Sequence, residues 1–504
     1  MEDNQVKLLN YGKLRSNLNA ETCTFSLIIH FYCKINNCLQ TLEKNTSNLM
    51  SFLFDKKATG KAGEIFELNN EILFSIGEFE CELVNLETED FWNIQNNMGE
   101  LYKYISKYYS NSNVLFSIKL LDTDLFDPSV INHCYYGFIL SSYKYTFLKK
   151  EESEIKINLI YEPNFSNLIE TVELAHAQNI ARFLGDTPAN LLTPGIFVSY
   201  AKNIFRDIKN IEIKVLENEE CIALGMNLFN SVGQGSVQDS KLLCIKYNGS
   251  SNNLHEHTVA LVGKGVTFDS GGISLKPGLD MHRQKMDMMG GATMLMSFYA
   301  ACKIGLPLNM SCTIPLVENM PSYMATKPGD VHVGMNGLSV EINNTDAEGR
   351  LILADGVYYA QTQYTFSGKV QKPKYLFNTC TLTGAMKIAL GNIFGGYFTN
   401  SEELHEIIKN NLSGESLWRM PLSAYYKKQL KSDVADLKNI GGKLAGACTA
   451  AEFIHSFITE DVKWAHFDIA GIKDQSVTPG MYGNGATARP MLAFLNILKE
   501  ISKN

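Results

Sequence analysis

The sequence predicts an α/β protein of two domains, a small N-terminal mixed-sheet α/β domain and a larger C-terminal doubly wound α/β domain. Three observations predict it. Short apolar, β-branched runs alternate with helix-period segments along the 504 residues, the pattern of strands feeding helices in a layered sheet. A stretch with Ala, Leu and Ile at helical spacing, Leu168 to Leu184, divides the chain and stops near Gly185 and Pro188. The charged residues capable of chemistry cluster beyond that divider. The expected boundaries are an N-terminal domain at 1–165, a connecting helix at 166–185 and a larger C-terminal domain at 186–504.

In the N-terminal part, Phe25 to Tyr32, Val114 to Leu121 and Ile155 to Tyr161 read as strands, with a helix at Cys134 to Tyr145. No catalytic constellation is visible there, and His30 and His133 read as packed or surface histidines. In the C-terminal part, Leu242 to Tyr247, Thr258 to Val262, Met310 to Pro315, Tyr375 to Cys380 and Trp464 to Ile469 read as strands. A helix is expected from Met288 to Cys302, opened by Asp287, and another from Leu351.

Composition narrows the class. A hydrophobic fraction of 45% suits a chain with a sizeable core, and the net charge of −8 disfavours a general nucleic-acid or anionic-membrane surface. Eleven scattered cysteines form no C-x-x-C pair. The nearest pair, Cys33 and Cys38, reads as buried free thiols of a reducing compartment. The polar start Met1-Glu2-Asp3-Asn4 lacks a signal region, and no run approaches the roughly 18 apolar residues that span a bilayer. A cytoplasmic location is expected.

The run Asn343-Asn344-Thr345-Asp346-Ala347-Glu348-Gly349-Arg350 places two carboxylates and a guanidinium at i, i+2 and i+4. In an extended segment they would share a face. Such crowding calls for a cation among the acids and an anion beside the Arg. The competing reading is a plain helix start, with Thr345 and Glu348 as a T-x-x-E capping box. A second cluster breaks the tie. Gly263-Lys264-Gly265-Val266-Thr267-Phe268-Asp269-Ser270-Gly271-Gly272 reads as a tight loop at the C-terminal end of a buried strand, where open α/β sheets place their ligands. Lys276 and Asp287 follow. Neither a dinucleotide fingerprint nor a phosphate loop fits these glycines. Four carboxylates and a neutral amine suit a pair of divalent ions, although a liganding Lys must first lose its proton, which an adjacent dication can cause.

Val262 to Ala292 and Asn344 to Leu353 resemble the signature of the leucine aminopeptidase family, the cytosolic dinuclear-metal leucyl aminopeptidases. Asp186-Thr187-Pro188-Ala189-Asn190, Thr381-Leu382-Thr383-Gly384-Ala385, Ala435-Asp436-Leu437-Lys438-Asn439-Ile440-Gly441-Gly442 and Trp464-Ala465-His466-Phe467-Asp468-Ile469-Ala470-Gly471 are similar too, so the likeness runs from Glu173 to the C-terminus.

The resemblance implies that Lys264, Asp269, Asp287, Asp346 and Glu348 hold two divalent metal ions. Zn and Mn are expected, with Mg and Co as further candidates. Asp269 and Glu348 would bridge, Lys264 and Asp287 would serve an exchangeable site, and Asp346 a tighter one. Two such ions about 3.5–4 Å apart can share a hydroxide and brace a tetrahedral intermediate. Lys276 would stabilise the oxyanion. Arg350, which cannot itself accept a proton, would hold a bicarbonate that shuttles it. Lys276, Asp287, Thr381, Leu382 and Gly384 would contact substrate, a peptide with a free N-terminus. A homohexamer of two trimers is implied, and neither a membrane nor nucleic acid is expected as a partner. Where the family carries Met in the pocket for the first residue, Gln284 stands here, which predicts a more polar floor and broad activity. The runner-up activity is a dipeptidase for small peptides such as Cys-Gly. A binding protein is the third reading, since some relatives bind DNA, but the acidic charge and the intact residue set argue against it.

Overall fold

The structure is a computed structural model that describes residues 27–42, 47–79, 86–110, 112–116, 129–150, 157–160, 168–251, 255–475 and 480–503. The N-terminal part folds around a six-stranded mixed sheet. Its spatial order is Ile65–Leu68, Glu71–Phe79, Leu27–Ile35, Asn113–Phe116 and Asn158–Ile160, with Cys38–Thr41 pairing antiparallel to Leu27–Ile35. The central strand, Leu27–Ile35, runs parallel to both neighbours in that order. The expected first strand thus runs on to Ile35, and its opening residues, Phe25 and Ser26, lie outside the described residues. Likewise 117–121 of the second expected strand lie outside them, as do 155, 156 and 161 of the third. The expected helix at Cys134 to Tyr145 forms four residues earlier at its end, as Ser129–Ser141. Cys33 is buried, but Cys38 is exposed on the edge strand, which corrects the pair's expected burial.

Leu168–Asp186 forms one continuous helix, with Ala175, Ala177 and Ala181 among its buried residues. It lies against the helix Met289–Lys303 of the larger part and the helix Ser129–Ser141 of the smaller one.

The larger part is built on a nine-stranded sheet. In spatial order the strands are Leu417–Arg419, Gly395–Thr399, Lys463–Asp468, Pro373–Cys380, His257–Gly263, Asn309–Asn319, Lys241–Asn248 and Ile211–Glu217, with Gly265–Asp269 also pairing to Asn309–Asn319. The four central strands are mutually parallel, while antiparallel pairs join the flanking strands on either side. All five expected strands are present. Their residues are mostly buried because both faces are covered. Val259 and Leu261 enter one buried cluster with the helix Met289–Lys303, and Ala260 and Val262 enter another with the helix Gly349–Thr362. Each fully buried Leu or Val of this kind contributes ~1.5–3 kcal/mol. The run Met286, Met288, Met289, Met294 and Met296 is buried in the first cluster, as helix packing requires.

One glycine sets the spacing between helix and sheet. A Cβ on Gly290 would stand 2.3 Å from the Thr379 carbonyl oxygen. Its absence lets the start of the helix Met289–Lys303 press against the C-terminal end of Pro373–Cys380. Asp287, two residues before that helix, is thereby delivered to the carboxyl ends of the parallel strands, where such sheets bind ligands.

Candidate metal centre

Lys264 follows the strand His257–Gly263 directly, and the short strand Gly265–Asp269 carries Asp269 at its own end. The expected tight loop from Gly263 to Gly272 is therefore interrupted by a strand, because Gly265–Asp269 finds a parallel partner in Asn309–Asn319. Asp287 caps a 3-10 turn at Met281–Met286 rather than opening the next helix, which begins at Met289.

Asp346 and Glu348 sit in a turn between the strand Ser339–Ile342 and the helix Gly349–Thr362, which Arg350 joins in its first turn. The segment is not extended, so alternation is not what gathers its charges. The capping-box reading fails as well. The Glu348 residue does cap that helix, but without a side-chain hydrogen bond. The Thr345 hydroxyl instead donates to the Gly271 carbonyl at 2.7 Å and accepts from the Ser274 N–H at 2.8 Å, tying the turn to the first loop.

Carboxylate oxygens of Asp269, Asp346 and Glu348 lie within 4.8 Å of one another. The Lys264 ammonium bridges Asp287 and Glu348 at 2.6 and 2.7 Å and donates to the Thr381 carbonyl at 3.2 Å. The Lys276 ammonium lies 2.8 Å from Asp269 and also pairs with Asp346. Room for Lys264 depends on Gly349, where a Cβ would meet its Cε at 2.6 Å.

Burial raises the pKa of Asp269, and the charges of Glu348 and Asp287 raise it further. Burial likewise moves Asp287 up to about 6. Burial works against the charge on Lys264 too, yet the carboxylates of Asp287, Glu348 and Asp269 outweigh it and hold the amine well above its usual value. Lys276 is raised in the same way, with Asp269 as its main partner. These acids need positive charge among them, and the two ammonium groups supply it. An all-oxygen carboxylate set with one adjacent amine is a donor set that fits divalent cations.

Thr381 donates to the Asp287 carboxylate at 2.7 Å. Its neighbours are fixed by Asp468, which accepts from the Leu382 N–H at 3.1 Å and the Thr383 hydroxyl at 2.7 Å. Thr383 in turn caps the helix that Gly384 opens. Arg350 is set apart from the lysine-carboxylate contacts: its Nη1 donates to the Asn439 carbonyl at 2.8 Å. Its buried Nε has no hydrogen-bond partner among the described residues, and burial lowers its pKa to about 10. His466 is buried and bonded to Asn378, a structural pairing.

Sequence reading passed over Asn319 and missed the purpose of Asn439. The Asn439 amide accepts from the Asn343 and Asn344 N–H groups at 2.9 and 3.3 Å and donates to the Asn344 carbonyl at 2.7 Å. It thus grips the turn that carries Asp346 and Glu348. An amide in a loop carries no pattern of its own; only the backbone it meets reveals it.

The covered parallel sheet, with carboxylates and lysines crowded at its carboxyl ends, fits a peptidase hydrolase of the metal-dependent kind, and known proteins define that class. The crystal structure of cytosol aminopeptidase from Coxiella burnetii superposes with a TM-score of 0.76 at 25% identity, over 96% of this chain and 98% of that one. The bottromycin maturation enzyme BotP gives 0.81 at 25% identity, over 95% and 100%. The chain belongs to the cytosol aminopeptidase family, whose catalytic-domain model matches residues 179–495. It is 42% identical to a cytosol aminopeptidase of Encephalitozoon cuniculi over 99% of both chains, and 39% identical to one of Dictyostelium discoideum over 72% and 71%.

Proposed function

We propose that this chain releases N-terminal amino acids from peptides, using two divalent ions held by Lys264, Asp269, Asp287, Asp346 and Glu348. The observation that carries the reading is the convergence of Asp269, Asp346 and Glu348 within 4.8 Å, flanked by Lys264 and Asp287. When bound, the ions supply Lewis-acid polarisation and an activated water. A BotP structure in complex with Mn, 26% identical to this chain, supports a metal in a related fold. Zn and Mn suit the set best; Mg and Co also accept such oxygens.

Asp269 and Glu348 stand between the two lysines, which suits bridging. Lys276, half-buried beside Asp269, keeps its proton and is placed to stabilise a developing oxyanion. Lys264 must release its proton to act as a ligand, which separates the roles of the two amines. The unpartnered Nε of Arg350 suits a bound anion such as bicarbonate. Thr381, which donates to the Asp287 carboxylate, would line the place of the substrate's first residue together with its chain neighbours Leu382 and Gly384. Gln284, where the family carries Met, would make the floor of that pocket polar. We further propose a homohexamer acting in the cytoplasm; among the described residues no helix is long and apolar enough to cross a membrane.

Removing metal with a chelator should abolish release of N-terminal residues, and Mn, Zn, Co or Mg should restore it; hydrolysis that persists in the stripped protein would contradict the reading. A panel of aminoacyl-amidomethylcoumarins reports the pocket. A broad profile that sharpens toward leucine in Gln284→Met is expected. A leucine-dominated profile unchanged by that substitution would remove Gln284 from the account. A Cys-Gly preference in the same panel format would favour the dipeptidase.

A further inference from the structure

One side-chain amide joins the two acidic segments of the centre. Asn319, at the end of the strand Asn309–Asn319, is buried. Its Nδ2 donates to Asp269 Oδ1 at 2.9 Å and to the Thr345 carbonyl at 3.0 Å. The two hydrogens of one NH2 group are thus divided between the carboxylate of the first cluster and the backbone of the second. The Asn319 carbonyl also accepts from the Ser270 N–H at 3.0 Å and its hydroxyl at 2.7 Å, fixing the chain immediately after Asp269. The approach is close: a Cβ on Gly272 would stand 2.7 Å from Asn319 Oδ1.

This arrangement is selective between the two oxygens of Asp269. Oδ1 accepts from Asn319 and, at 2.9 Å, from the Gly271 N–H. Both of its in-plane lone pairs are thereby committed. Oδ2 faces the Lys276 ammonium at 2.8 Å instead.

We infer that Asn319 is a positioning residue of the metal centre: it turns Asp269 so that Oδ2 alone is offered to the ions, and it sets the Asp346–Glu348 turn against it. The inference rests on the metal reading above. Partners that orient a liganding carboxylate change metal affinity by roughly ten- to a hundredfold when removed.

Calorimetric titration of the chelator-stripped full chain with Mn2+ tests this, using wild type, Asn319→Ala and the equally sized Asn319→Asp. The expected result is a native circular dichroism spectrum for the stripped variants and an apparent Kd for Mn2+ raised roughly tenfold or more. Peptidase kcat should recover toward the wild-type value as Mn2+ is increased, with KM little changed. A folded variant that takes up Mn2+ with wild-type affinity overturns the inference. So does loss of the fold in both stripped variants, since Asn319 would then serve the scaffold and not the centre. Wild-type protein that binds no Mn2+ would overturn the metal reading itself, a distinguishable failure.

Discussion

Gly349 follows Glu348, a proposed metal ligand, and starts a helix, a position where alanine is ordinarily the better residue by roughly 1 kcal/mol. The structure reverses that preference locally, since the added methyl would meet Lys264 Cδ and Nζ at 2.8 Å. Gly349→Ala is therefore expected to displace Lys264, to lower metal-dependent activity at least tenfold, and to lower the thermal stability of the metal-free protein, where Lys264 pairs the buried carboxylates of Asp287 and Glu348; melting curves and activity against Mn2+ concentration check it. Arg350→Met should leave metal uptake and KM near the wild type while kcat falls on the order of a hundredfold, the scale of an assisted proton transfer. Stopped assays on metal-saturated enzyme separate the two quantities. At this scale the charged residues were legible, because acids and amines at short spacing pose a conflict that demands a solution. What gathers them was not. The Asn319–Asp269 bond spans 50 positions and the Asn439–Asn344 bond 95, and nothing local marks either amide.

At the scale of elements, buried carboxylates accept from backbone N–H groups that loops and first helical turns leave without a regular partner. Asp468 at the end of Lys463–Asp468 ties down Leu382, Thr383 and Ala470. Asp468→Ala orphans those donors. The expected outcome is a raised KM from a loosened 381–384 segment and a loss of ~1–3 kcal/mol in stability, read by substrate titration and urea unfolding. Asp355 does the same for the helix Asn227–Gly233, accepting from the Phe229 N–H at 2.9 Å and from Met335 at 2.8 Å. The central strands were legible since burial on both faces leaves short apolar runs such as Val259–Val262 and Tyr375–Phe377. Glu71–Phe79 was missed because Ser75 and Gly77 interrupt its apolar run. Thr88–Tyr108 was missed because asparagines, glutamates and lysines dilute its buried face of Ile94, Met98, Leu101 and Ile105. The extended reading of Asp346 to Arg350 failed because the helix begins at Gly349, earlier than Leu351.

Across the whole molecule, the smaller and larger parts share a polar seam. The Arg489 guanidinium lies 4.3 Å from the Trp92 ring centroid and pairs with buried Glu415 at 2.7 Å. Arg182 on the connecting helix donates to the Leu140, Tyr482 and Ala486 carbonyls. Arg489→Met would strand the Glu415 charge, and a loss of roughly 3–5 kcal/mol is expected, seen as a lowered melting temperature with the metal stoichiometry intact. The helix Leu168–Asp186 was legible from its apolar spacing, whereas this seam was not, because its partners come from distant stretches with no shared pattern. The centre that the larger sheet builds is tested most directly by the metal content of the chelator-stripped chain after reloading with Mn2+ and desalting, compared between wild type and Glu348→Gln. The account predicts two ions per wild-type subunit and a loss in the variant; one ion or none in the wild type, or an unchanged two in Glu348→Gln, would contradict it.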